Sequence, residues 1–170
     1  MTKIIVDDKE LLTALKALAK KAGNLRPAMR SIGSTLQNRV KLGFSTGKAP
    51  DGTAWKPLKF RDGEPLRDKN ILMNSITYAE TDTSVDVGTN VCYAPTHQFG
   101  ATIEAGKGSG PTMCGVSRKN SKTLKFRVGD KLFFAKKVTV PARPFLPTEK
   151  LPETWGNSVL DIVKMHLAKY

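Results

Sequence analysis

A chain of 170 residues can bury roughly 70% of the surface its unfolded form exposes, enough for one self-sufficient core and too little for two generous ones. Its 28 Lys plus Arg against 15 Asp plus Glu give a formal charge of +13, which attracts polyanions without distinguishing DNA from an acidic protein surface. The start offers only Ile4, Ile5 and Val6 where a signal peptide needs about 7 to 15 apolar residues, and no later run approaches the roughly 20 of a membrane helix. We therefore expect one domain, 1–170, that stays soluble inside the cell, with Cys92 and Cys114 as reduced thiols.

Asp7 and Glu10 form a cap pair, and Leu11, Leu15, Leu18 and Ala22 recur at helical spacing until Gly23, which predicts a first helix over about 8–22. Asn24 caps a second helix whose first turn tolerates Pro27 and whose apolar face is Met29, Ile32, Leu36, Val40 and Phe44. The two form a helical hairpin. From Ser45 to Lys69, Gly47, Pro50, Gly52, Pro57, Gly63 and Pro65 break any period, and Trp55 is the anchor that pins this excursion to the core. Leu66, Ile71, Leu72 and Ile76 feed a short helix into a strand. Ile76 to Glu80 and Val85 to Gly88 then pair as a hairpin around Asp82-Thr83-Ser84.

Ala94 to Phe99 reads as one helical turn. The segment 101–120 is glycine-rich and poor in apolar residues, so a mobile loop is expected there. Leu124 to Val128 and Leu132 to Val140 make a second hairpin about Gly129-Asp130, with Lys125 and Arg127 on its wet face. After Pro147 a last helix, about 153–168, presents Trp155, Val159, Ile162, Val163 and Leu167 on one side. The expected fold is α+β: a helical hairpin and a C-terminal helix packed on a small antiparallel sheet of about four strands, with long loops.

Catalytic arrangements are hard to assemble from these residues. His97, Cys92 and Cys114 give at most three soft ligands at irregular spacing, and a Cys92 and His97 nucleophile pair has no orienting carboxylate nearby in sequence. Gly106-Lys107-Gly108-Ser109-Gly110 lacks the strand, the GxxxxGK[ST] spacing and the helix of a phosphate cradle. Asp82, Asp86, Glu104 and Asp130 are scattered. No catalytic, cofactor or metal site is expected, and the protein reads as a non-enzyme.

Three stretches do stand out: Asp51-Gly-Thr-Ala-Trp-Lys-Pro-Leu58, Tyr93-Ala-Pro-Thr-His-Gln-Phe-Gly100 and Pro141-Ala-Arg-Pro-Phe-Leu146. Each joins an aromatic anchor to glycine or proline, residues that fix chain direction. In this order they resemble the phage virion morphogenesis family, the Mu-like tail completion or neck proteins, over about Phe44 to the C-terminal helix. The sequence departs from that pattern at Asn70, near where a glycine would precede the Leu72 to Ile76 segment.

The resemblance implies a virion protein of the tail and neck, assembled in the host cytoplasm, that completes the tail and provides the head-joining surface. It implies a ring, with six copies favoured over twelve, and other tail and neck or connector proteins as partners, with no membrane. By the same resemblance Arg143 and Phe145 are structural or subunit-interface residues, with Phe145 plugging the monomer core as the equal alternative; Trp55, Tyr93, His97, Phe99 and Gly100 complete the expected structural or interface set. The first rival reading is a basic DNA-binding accessory protein and the second, ranked last, a cytoplasmic enzyme using His97; the tail reading itself allows non-specific contact with passing DNA.

Overall fold

The computed structural model of the chain describes residues 2–3, 13, 24–59, 62–106, 122–128 and 131–168. The expected first helix, and with it the helical hairpin, lies outside the described residues apart from Thr13, which is helical. Helix α1 (Arg26–Thr46) is the longest helix among the described residues. Leu25 rather than Asn24 occupies its cap position, yet the Asn24 carboxamide oxygen accepts the Arg26 N–H at 3.1 Å, so the asparagine still serves an otherwise unpaired first-turn donor. The helix stops at Gly47, where φ turns positive (68°) and the N–H returns to the Gly43 carbonyl.

Met29, Ile32, Val40 and Phe44 are buried on one face of α1, as their spacing requires. Two hydrophobic clusters divide that face. Leu25, Met29 and Ile32 pack with Val159 and Val163 of helix α4 (Glu153–Leu167), while Val40 and Phe44 pack with Ala49, Trp55, Leu72, Ile76, Phe145, Leu146 and Trp155.

Among the described residues the expected antiparallel sheet is divided into three small antiparallel sheets. In the first, strand β1 (Thr2–Lys3) and strand β2 (Thr77–Glu80) flank strand β3 (Val85–Thr89), with Tyr78 opposite Val87. This is the hairpin around Asp82-Thr83-Ser84. Gly33 allows α1 to lie directly on it, because a Cβ there would come within 2.3 Å of the Tyr78 ring. Short helix α2 (Ile71–Asn74) precedes β2, and Asn70 before it takes the left-handed conformation at φ 56°. Asparagine tolerates that region, so the turn forms without a glycine.

Strand β4 (Ala101–Glu104) pairs with strand β7 (Lys137–Val140), Ala101 opposite Val140. The expected loop 101–120 therefore begins only after β4, and residues 107–120 lie outside the described residues. Strand β5 (Leu124–Val128) pairs with strand β6 (Lys131–Ala135), Leu124 opposite Ala135. A bend at Lys136 splits the expected single return strand, Leu132 to Val140, into β6 and β7 with different partners. The fold is α+β, and no helix among the described residues is long and apolar enough to cross a membrane.

Candidate functional site

Two of the aromatic and glycine or proline stretches converge on the third, the extended strap Pro141 to Leu146 between β7 and α4. Proline at 141 and 144 keeps the strap out of helical space, since each restricts the residue before it. Its polar backbone groups are then held by side chains from two other segments.

The excursion after α1 supplies the first clamp. It folds back tightly, with an isolated bridge between Lys48 and Ala54 and the Trp55 N–H donating to the Gly47 carbonyl at 2.9 Å. Trp55 is left only 7% exposed. Its indole Nε1 donates to the Pro144 carbonyl at 2.8 Å, and its ring meets Phe44 edge-on at 5.5 Å. Phe44 in turn packs against Phe145 at 5.4 Å, so strap, excursion and α1 share one aromatic cluster. Arg143, itself buried, reaches the other way: Nε donates to the Lys56 carbonyl at 2.8 Å and Nη2 to the Pro57 carbonyl at 3.1 Å.

Short helix α3 (Ala94–Phe99) supplies the second clamp. Gln98 is fully buried and spans the strap with its carboxamide. Nε2 donates to the Leu146 carbonyl at 2.7 Å, and Oε1 accepts the Phe145 and Leu146 N–H groups at 3.0 and 3.1 Å. The Arg143 N–H donates to the His97 carbonyl at 2.7 Å. Gly100 ends α3 at φ 74°, where an added Cβ would lie 2.8 Å from the Ala142 nitrogen, so only glycine lets β4 start this close to the strap.

His97 is half-buried beneath Tyr93, whose ring meets it edge-on at 5.7 Å. Burial first, and the Arg143 guanidinium second, hold its imidazole below the ordinary value of 6.5. Burial and then the Asp68 carboxylate push the Tyr93 phenol up from 10.0. The His97 Nδ1 and Thr96 Oγ1 atoms are buried without a hydrogen-bond partner among the described residues. Cys92, on the exposed turn before α3, is disulfide-bonded, which corrects the expectation of two reduced thiols; Cys114, the other cysteine of the sequence, lies outside the described residues.

The structure thus brings Trp55, His97, Gly100, Arg143 and Phe145 to the strap, with Tyr93 one layer behind. Phe99 is different. It is 59% exposed at the end of α3, the one aromatic of the set turned to solvent. Gln98 was not singled out by sequence reasoning, although a signal existed: it lies four residues after the buried Ala94, on the same inward face of a helical turn, and a buried carboxamide must find partners.

Residues 6–168 match the profile of the phage virion morphogenesis family. The chain belongs to the phage virion morphogenesis family. It is 37% identical over 138 residues to the Mu-like prophage FluMu G protein 2 of Haemophilus influenzae, an alignment covering 81% of this chain and 77% of that protein. No solved structure matches it. Membership makes this a phage morphogenesis protein with a structural role, and the strap is the part of this family member where the three family-like stretches meet.

Proposed function

We propose that the protein completes or terminates the phage tail and provides the surface to which the neck and head dock, working as a ring. The observation that carries this reading is the strap. Trp55 and Gln98 direct their polar atoms to its backbone, while its own Arg143 reaches the Lys56 and Pro57 carbonyls and its own Phe145 packs its ring against Phe44. A residue set of this kind fixes the relative placement of segments rather than transforming a substrate. Phe99, exposed on the adjoining helix α3, is then the interface residue of the set, because a large aromatic held out on a rigid base is an inexpensive anchor in terms of lost freedom.

Ring closure follows from position: a protein on the axis of a tubular particle must match its rotational symmetry, and head-to-tail contacts that close make rings. The partners are further copies and the neighbouring tail and neck or connector proteins.

The test is complementation of a phage lacking the protein. Phe99→Ser should leave the melting temperature of the purified protein unchanged while particle yield falls, and immunogold label should decorate the head-proximal end of the tail. Trp55→Ala, by contrast, should lose about 3 to 5 kcal/mol of stability. Wild-type yield from Phe99→Ser removes that residue from the interface, and label at the far tip of the tail contradicts the neck placement.

A further inference from the structure

The β5–β6 hairpin stands apart from the two clamps. Among the described residues it is a two-stranded sheet of its own, and an isolated pair of strands is marginal in water unless something covers it. Leu132 is 45% and Phe134 61% exposed on β6. Lys125 is the register partner of Phe134, so it shares that face of the ribbon, and Leu132 is two residues along. Lys122, Lys125, Lys136 and Lys137 are exposed around them.

Charge decides what kind of surface this fits. From Lys122 to Lys137 the sequence carries Lys122, Lys125, Arg127, Lys131, Lys136 and Lys137 against Asp130 alone. The Glu104 carboxylate adds one anion from the neighbouring sheet, paired with Lys137 at 3.3 Å. A second copy of a chain at +13 is repelled by such a patch, whereas a polyphosphate backbone is attracted to it. Shape agrees. The major groove of duplex DNA, about 12 Å wide, admits a two-stranded ribbon, and apolar side chains on a cationic ribbon can press against base edges while lysines meet phosphates.

We propose that the β5–β6 hairpin is a sequence-independent duplex-DNA contact surface, with Lys125 and Lys136 on phosphates and Phe134 against the groove. The proposal requires only one protomer, so it stands or falls separately from the ring reading.

The experiment is fluorescence anisotropy of the full-length protein with a labelled DNA duplex, and with one strand of it, over a salt series. Two double variants change net charge equally: Lys125→Glu with Lys136→Glu on the hairpin, and Lys48→Glu with Lys164→Glu elsewhere. The hairpin pair should weaken duplex binding at least about tenfold and lower the slope of log K against log salt by about 2. The control pair should change neither by as much. Phe134→Ala should weaken binding several-fold with the slope unchanged. Circular dichroism melts confirm that each variant is folded.

Equal losses from both pairs would reduce the effect to net charge, and unchanged binding by the hairpin pair would place the contact elsewhere. Absence of duplex binding at low salt, or tighter binding of the single strand, also overturns the proposal. Loss of particle assembly by Phe134→Ala with DNA affinity intact would make the hairpin a protein-docking face instead.

Discussion

Gln98 holds two N–H groups and one carbonyl of the strap with a single buried carboxamide. Gln98→Leu keeps the volume and strands all three groups away from water, each at about 1 to 3 kcal/mol before relaxation. A net loss of about 3 kcal/mol in urea unfolding is expected, and Gln98→Glu should lose at least as much at neutral pH, because it buries a carboxylate and sets one of its oxygens against the Leu146 carbonyl. His97 sets a pH dependence. Its folded-state pKa lies below 6.5, so the unfolded chain binds the proton more readily. The full stability is present above 6.5 and declines as pH falls through that value toward the folded one. Relative to a His97→Phe variant, the parent should lose melting temperature between neutral pH and about pH 5; parallel curves would show that His97 protonates freely in the folded state.

At the scale of elements, the parts readable from sequence were those with short-range signals. The α1 face from Met29 to Phe44 follows from helical spacing, the β2–β3 hairpin from alternation on either side of Asp82-Thr83-Ser84, and α4 from Trp155, Val159 and Val163. The division into three sheets was not readable, because the partner of β4 is set by a pairing between residues 101 and 140, and no local pattern encodes register over that distance. Nor was the bend at Lys136, where the chain changes partners with no glycine or proline to mark it. Of the candidate site, the anchors Trp55, Arg143 and Phe145 were visible as unusual residue types, whereas the role of Gln98 depends on where the strap passes.

The disulfide at Cys92 belongs to this scale as well, since it ties down the turn that leads into α3. Cys92→Ser should cost about 2 to 4 kcal/mol in oxidising buffer. In reductant, parent and variant should unfold together, and a difference that persists there would assign the cost to packing.

For the whole molecule, a hydrogen-bonded joint sits at the meeting of three segments, and the chain also carries a basic two-stranded ribbon. The family match over residues 6–168 extends beyond the stretches that carry the resemblance in sequence, back through α1 and past the described start of that helix. The central claim is that such protomers close on themselves to finish a tube. Electron micrographs of the purified protein, alone and mixed with isolated tails, test it most directly. The account predicts closed rings of one size, seen face-on alone and at the head-proximal end of the tails; a field of single 18.6 kDa particles under both conditions, or open fibres, would contradict it.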